Sequence, residues 1–206
     1  MDDTHFYEPA RGHGLSHDPF KAIVAPRPIG WVSTVDADAR PNLAPYSFFN
    51  AVAEAPPIVM FSSAGWKDSV ANCEATRAFV CNLATRPLAE RMNASSASVA
   101  HDVNEFTLAG LATKPSRLVA PPRVAESPAA LECRVVDIVR LKDLTGSALD
   151  RWMVLGQVIG VHIDRRYLTA DGLFDTAAAR PILRAGYRAD YAEIGPDAMF
   201  QMVRPR

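Results

Sequence analysis

The sequence lacks the short motifs that mark the most familiar nucleotide-binding and hydrolytic sites. Neither GxGxxG nor GxxxxGK[ST] occurs, which excludes the Rossmann fingerprint and the Walker phosphate loop. HExxH and GxSxG are also missing, so there is no zincin-type metal helix and no nucleophile elbow. We therefore predict neither a metal site nor a catalytic nucleophile.

The sequence also has no large excess of positive or negative charge and no closely spaced cysteine pair. The chain of 206 residues has 22 Lys+Arg against 23 Asp+Glu, and this near-balance argues against a nucleic-acid-binding surface. The three cysteines, Cys73, Cys81 and Cys133, form no CxxC pair, which favours buried free thiols in a reducing compartment. No apolar run approaches the ~20 residues of a membrane span, and the acidic start does not resemble a secretory signal. We expect a cytoplasmic protein.

Proline, by contrast, is abundant, with 16 in 206 residues, about 8% against a usual ~5%. Proline ends helices, so this content disfavours a helix bundle and favours short strands joined by ordered loops. Alternating or β-branched runs predict strands. The predicted strands cover residues 30–35, 58–63, 78–83, 131–141 and 153–163.

Two details of these strands predict a curved sheet. The apolar alternation slips by one residue between Val135 and Val136, which indicates a β-bulge. Gly156 and Gly160 share one face of the last strand, where a ring or another backbone can approach closely. With helices predicted only over residues 68–76 and 87–95, we expect one domain over residues 1–206, mainly β, built as an antiparallel barrel with a few peripheral helices. Periodicity alone supports a β-sandwich equally.

Residues 62–69 (SSAGWKDS) form a candidate anion site where a predicted strand runs into a helix. Free N–H groups at a helix start favour an anion. The hydroxyls of Ser62, Ser63 and Ser69 can donate to phosphate oxygens, and Lys67 adds charge. Lys67 is one of only four lysines. A plain capped helix is the alternative interpretation.

Residues 41–50 (PNLAPYSFFN) form a second candidate site. Two prolines keep this segment extended and partly free of sheet pairing, while aromatic and amide side chains alternate along it. Such a segment can hold a flat heteroaromatic ring, with its backbone at the ring edge. A buried strand end is the alternative.

Taken together, these stretches resemble the flavin reductase-like family with an FMN-binding split barrel, which includes flavoredoxins and the reductase components of two-component monooxygenases. The resemblance runs from about residue 20 to 191, and its motifs follow the family's order. They are VAPRPIGWVST (24–34), NLAPYSFFN (42–50), PPIVMFS (56–62), KDS (67–69), FVCNL (79–83), EFTLAGL (105–111), ESPAALEC (126–133) and PILRAG (181–186).

The resemblance implies a homodimer of six-stranded antiparallel Greek-key barrels, with the chain ends at the dimer surface. It also implies the flavin-binding residues. Backbone at the ring edge is expected from Ala44, Pro45, Tyr46 and Ser47, with Ser33, Thr34 and Asn50 near the ring or ribityl chain. The phosphate is expected at Ser62, Lys67, Asp68 and Ser69, where serine replaces the family's usual threonine. Arg184, in a segment that departs from the family's RxGG, is expected at the flavin or the nicotinamide.

The implied function is an NAD(P)H-dependent flavin reductase. FMN is the expected cofactor, with FAD possible, and NADH or NADPH is the expected co-substrate. Hydride passes to flavin N5, and reduced flavin goes to a partner such as a monooxygenase. The alternative is a flavoredoxin-like electron carrier with tightly bound FMN and little NAD(P)H activity. A pyridoxamine-phosphate-oxidase-like enzyme is a third, weaker hypothesis, because it does not account for the SFFN and KDS stretches.

Overall fold

A computed structural model describes residues 3–205, and strands account for most of its regular structure. The strands are β1 Arg27–Pro28, β2 Gly30–Val35, β3 Pro41–Tyr46, β4 Phe49–Glu54, β5 Pro57–Ala64, β6 Ala78–Leu83, β7 Thr113–Lys114, β8 Arg123–Val124, β9 Ala129–Lys142, β10 Ala148–Ile163, β11 Ile182–Arg184 and β12 Tyr191–Glu193. The α-helices are α1 Phe20–Ile23, α2 Asp68–Thr76, α3 Ala89–Ala94, α4 Glu105–Leu108 and α5 Thr176–Ala179. Single 3-10 turns lie at Pro9–Arg11, Arg86–Leu88, Arg165–Tyr167 and Pro196–Ala198.

Antiparallel pairing joins seven strands into one sheet, in the order β3-β2-β6-β9-β10-β5-β4. A three-stranded sheet, β1-β11-β12, ties the beginning of the chain to its end. The predicted mainly β, antiparallel fold is confirmed. The main sheet has seven strands, where the resemblance implied six. The extended segment 41–50 contributes two of them, because residues 47 and 48 divide it between β3 and β4.

The predicted elements match the structure closely. Strands β2 and β6 and helix α2 have the predicted bounds, while β5, β9 and β10 extend beyond theirs. The helix predicted over residues 87–95 is a 3-10 turn followed by α3. The three cysteines are buried free thiols, as predicted. Within residues 3–205, no helix is long and apolar enough to cross a bilayer.

The predicted β-bulge lies in β9. Leu155 pairs with Asp137 and Gly156 pairs with Val135, so Val136 is the extra residue. The predicted close approach at Gly156 is also confirmed, because a Cβ there would overlap the ring of Phe79. The bulge and the glycine bend the long β9–β10 hairpin around the aromatic core.

The two edges of the main sheet curl towards one another. Tyr46 in β3 packs its ring against Phe61 in β5, with centroids 4.7 Å apart. Phe49 in β4 covers Gly30 in β2, where a Cβ would lie only 2.5 Å from its ring. The curled sheet encloses a core of buried side chains from both halves, including Phe61, Phe79 and Val154.

The proline-rich stretch over residues 114–128 is an ordered segment that begins at the end of β7 and contains β8. Glu132, fully buried in β9, accepts hydrogen bonds from the backbone N–H groups of Arg117 (2.8 Å) and Leu118 (2.6 Å). His162 contacts the same carboxylate. These bonds hold the loop against the sheet.

Candidate functional site

A cavity of about 360 Å³ lies between the edge strand β3 and the beginning of α2. Its walls include seven residues from the two segments that the sequence singled out. These are Asn42, Ala44, Pro45, Tyr46, Lys67, Asp68 and Ser69. The candidate ring-binding segment and the candidate anion site therefore border one cavity, although about 20 residues separate them in the chain.

Helix α2 begins at this cavity with two free amide groups. Lys67 is its N-cap residue, and the Lys67 carbonyl accepts hydrogen bonds from Val70 N–H (2.8 Å) and Ala71 N–H (3.0 Å). The N–H groups of Asp68 and Ser69 precede the first intrahelical bond and have no partner within the helix. The Lys67 side chain is exposed, and no carboxylate within residues 3–205 lies within 4.0 Å of it.

The Asp68 carboxylate has a hydrogen-bond partner other than Lys67. An Asp68 carboxylate oxygen lies 2.9 Å from His101 Nδ1, and His101 Nε2 lies 3.5 Å from Asp36. The hydrogen bond to Asp68 raises the pKa of His101, which favours the imidazolium form. The aspartate therefore has its own hydrogen-bond partner in His101, and the positive end of α2 remains available to an anion.

The backbone of β3 also presents polar groups to the cavity. Leu43 N–H points away from β2 and donates to a carboxylate oxygen of Glu105 (3.0 Å). Because outward and inward backbone groups alternate along an edge strand, Pro45 also faces outward, and it offers only a carbonyl. Ser47, directly after the strand, makes no hydrogen bond within residues 3–205. The edge of β3 thus offers the Pro45 carbonyl as an acceptor and, two residues further on, the Ser47 N–H as a donor.

A buried polar network supports the cavity from behind. Asn42, in the cavity wall, donates through Nδ2 to Thr34 Oγ1 (3.1 Å) and Ser69 Oγ (3.0 Å). Thr34 Oγ1 also accepts from Asn72 Nδ2 in α2 (3.0 Å). Thr34 is fully buried and outside the cavity walls, so it joins β2, β3 and α2. Its expected contact with flavin stays a prediction.

Four more predicted residues lie outside the cavity walls. Ser33 is fully buried and donates to the carbonyl of Pro122 (2.5 Å), while Ser63 is fully buried and donates to the carbonyl of Gly65 (2.9 Å). Ser62 is half-buried in β5, and Asn50 is exposed in β4. Their flavin contacts also remain predictions.

A second cavity, of about 200 Å³, shares Pro45 and Ser96 with the first and brings in Ser47 and Arg184. The Arg184 guanidinium lies over the ring of Tyr191, 4.7 Å from its centroid. Its Nη2 donates to the carbonyl of Arg188 (2.6 Å), while its Nε is buried without a partner. The structure therefore brings Arg184 close to the ring-binding segment.

Sequence reasoning missed two parts of the first cavity. The loop over residues 95–99 forms one wall, and the buried Glu105 forms another. Trp31 Nε1 donates to Ser95 Oγ (2.9 Å), which in turn donates to the carbonyl of Met92 (2.7 Å). Burial raises the pKa of Glu105. The available signals were the serine-rich composition of the loop and, for Glu105, its place at the start of the EFTLAGL motif.

Comparison with known proteins bears directly on this arrangement. The sequence model of the flavin reductase like domain matches residues 24–182. An uncharacterized protein from Aquifex aeolicus is 33% identical over 169 residues, covering 80% of this chain and 83% of that protein.

The chain belongs to the flavin reductase-like family.

Solved structures agree with the family assignment. Nitrilotriacetate monooxygenase component B from Bacillus cereus superposes with a TM-score of 0.85 at 25% identity, covering 98% of this chain and 100% of that one. A flavin reductase with a split barrel domain from Shewanella frigidimarina superposes with a TM-score of 0.76 at 19% identity, covering 91% and 89%. The fold of this flavin reductase-like protein is therefore a split barrel.

The donor set of this family member fits a flavin. A flavin mononucleotide has a planar ring with polar edge atoms and a phosphate on a flexible chain. The first cavity offers the cation Lys67 and the beginning of α2 at Asp68 and Ser69, and the adjoining 200 Å³ cavity, which shares Pro45 with it, adds Ser47 at the edge of β3. The volume of the first cavity lies within the ~300–1,000 Å³ range of small-molecule sites.

Proposed function

We propose that this protein is an FMN-binding NAD(P)H:flavin oxidoreductase that supplies reduced flavin to a partner such as a monooxygenase. The observation that carries the proposal is the shared cavity, in which Lys67 and the beginning of α2 face the edge of β3. The family assignment and the resemblance to a monooxygenase component support it. We propose FMN as the preferred flavin, with FAD as the alternative.

In this proposal, the residues of this chain bind the flavin and orient its ring. Lys67 and the N–H groups of Asp68 and Ser69 hold the phosphate, because a cation and a helix start both favour an anion. The outward carbonyl of Pro45 and the N–H of Ser47 align the ring edge. The chemistry that a bound flavin supplies is hydride acceptance at its N5 from NADH or NADPH.

We also propose that residues 1–206 form one flavin reductase-like domain that works as a homodimer. Pairing of β1 with β11 supports a single domain, since it joins residues 27–28 to residues 183–184, which are more than 150 positions apart in the chain. Exposed apolar side chains support a subunit contact. Val52 is 50% exposed, Val161 60% and Leu173 66%. Light scattering after size exclusion tests the dimer, and a mass near the 22.4 kDa of one chain contradicts it.

A spectrum and a turnover assay test the enzymatic proposal. The purified protein is expected to bind FMN more tightly than FAD, as measured by quenching of flavin fluorescence. Adding NADH or NADPH to the FMN-loaded protein is expected to give a rapid fall in absorbance at 340 nm. Tight FMN binding without nicotinamide oxidation favours the flavoredoxin-like carrier. A protein that binds no flavin contradicts both functions.

A further inference from the structure

Arg184 lies where three cavities meet. The 200 Å³ cavity described above is one of them, and the others have volumes of about 550 and 600 Å³. Because the smallest shares Pro45 and Ser96 with the cavity of Lys67, a continuous surface runs from Lys67 past Pro45 to Arg184. Two cationic centres, at Lys67 and at Arg184, therefore line adjoining cavities that share Pro45.

The centre at Arg184 has positive charge without a matching carboxylate. Arg188 and Lys21 line the largest of the three cavities with it. Among the residues that the structure describes, no carboxylate lies within 4.0 Å of any of these three cations. Within residues 3–205, the guanidinium of Arg184 donates only to carbonyls, and its buried Nε has no hydrogen-bond partner.

Another arginine, Arg27, adds to this excess of positive charge. Arg27 pairs with Arg184 in the β1–β11 register and is only 7% exposed. It donates to the carbonyls of Lys21 and Val24, and its Nε is also buried without a partner. Burial, and then the charge of Arg184, lower the pKa of Arg27. An anion at this place would relieve the repulsion between the two guanidinium groups.

The acidic groups that line these cavities are fewer than the cations. Among the described residues, Asp18 is the one carboxylate that lines the largest cavity, against Lys21, Arg184 and Arg188. Glu90 is the one carboxylate that lines the 550 Å³ cavity, against Arg86, Arg184 and Arg188.

We propose that Arg184, Arg188 and Lys21 form an anion subsite for the pyrophosphate of the nicotinamide dinucleotide. The proposal rests on the proposed function, because it assigns the flavin phosphate to Lys67 and the co-substrate to the adjoining cavities at Arg184. A guanidinium suits this ligand, since it makes two parallel hydrogen bonds to phosphate oxygens. The subsite would direct the dinucleotide along the cavities towards the ring-binding segment.

ADP-ribose is the probe for this subsite, because it carries the pyrophosphate without the nicotinamide. Its binding to the full-length protein is measured by calorimetry with and without saturating FMN. Arg184→Gln is expected to weaken binding about tenfold or more, the loss for one charge-assisted hydrogen bond. Arg188→Gln, at an exposed position, gives a second variant if Arg184→Gln fails to fold. Arg134→Gln, an exposed arginine outside these cavities, controls for net charge.

The outcomes separate this proposal from the proposed function. Weaker ADP-ribose binding in both variants, with FMN affinity within about twofold of wild type, supports the subsite. Wild-type protein that binds no ADP-ribose, or variants that bind it as wild type does, overturns the subsite. Loss of FMN affinity in the variants also overturns it, because the arginines then belong to the flavin phosphate. ADP-ribose binding without NADH or NADPH oxidation retains the subsite and overturns the reductase.

Discussion

Replacement of Lys67 by alanine tests the phosphate end of the cavity. The Lys67 side chain is exposed and has no ion-pair partner within residues 3–205, so its removal leaves no buried charge unpaired. Its backbone caps α2 through the carbonyl, which alanine retains. We therefore expect Lys67→Ala to fold normally and to lose affinity for FMN.

The magnitude follows from the kind of contact. A hydrogen bond between a cation and a phosphate contributes about 1.5–3 kcal/mol, which corresponds to roughly ten- to 150-fold in affinity. Because Lys67 is exposed, solvent and salt screen its charge, and we expect a value near the lower end. The N–H groups of Asp68 and Ser69 remain in the variant, so binding should weaken without vanishing.

Riboflavin provides the decisive comparison in this assay, because it has the same ring and no phosphate. Fluorescence quenching gives the Kd of FMN and of riboflavin for wild type, Lys67→Ala and Lys142→Ala. Lys142 is an exposed lysine at the end of β9, so its replacement changes net charge equally. We expect Lys67→Ala to weaken FMN binding about tenfold, to leave riboflavin binding unchanged, and to lose its effect as salt rises.

Two results would refute this reasoning. If Lys67→Ala binds FMN as tightly as wild type, the phosphate does not lie at the beginning of α2. If FMN and riboflavin lose affinity equally, Lys67 supports the cavity without contacting a phosphate. Equal losses in Lys67→Ala and Lys142→Ala would point to net charge alone.

Three further predictions address the framework of the site, each measured by urea denaturation. Thr34→Val should lower stability by about 1–3 kcal/mol, because two buried amide groups lose their common acceptor. Gly156→Ala should cost about 1–3 kcal/mol through overlap with a buried phenyl ring, whereas Gly195→Ala, in open space, should not. His101→Gln should lower stability at about pH 5.5 and leave it unchanged at about pH 8.5. The hydrogen bond to Asp68 raises the pKa of His101, so this stabilisation is present at low pH and is lost as pH rises through the raised pKa.

Each of these predictions has a contradicting result. A Thr34→Val protein as stable as wild type would mean that the amide groups find other acceptors. Equal stability of the two glycine variants would exclude the steric argument at Gly156. A His101→Gln effect that grows with pH would have the wrong sign for an imidazolium paired with Asp68.

Much of the fold was predictable because its causes are local. β-branched residues with a polar turn after them set β2, and the slip between Val135 and Val136 located the bulge. The contact between Gly30 and Phe49 illustrates the limit of prediction from the sequence. The sequence contains both, but only the curl of the sheet brings the phenyl ring over the glycine. Strand bounds therefore follow from nearby residues, while closure depends on distant ones.

The same distinction between nearby and distant causes applies to the residues of the candidate site. Lys67 and Pro45 have individual chemistry that a reader of the sequence can recognise, and both line the cavity. Ser33 and Thr34 carry similar hydroxyls, but both are fully buried because every residue of β2 is covered by neighbouring elements. The loop over residues 95–99 reaches the cavity through the hydrogen bond from Trp31, which joins positions 64 residues apart.

The prolines of β3 connect the composition of the chain with its candidate function. Pro41 and Pro45 lie in an edge strand, where a missing N–H breaks no sheet pairing. At Pro45 the same absence leaves only a carbonyl facing the cavity, so another strand cannot add there with a full set of hydrogen bonds. A flat ligand with a donor at its edge can still pair with this carbonyl and with Ser47 N–H next to it. The residue that protects the edge against another strand thus also suits it to a ring.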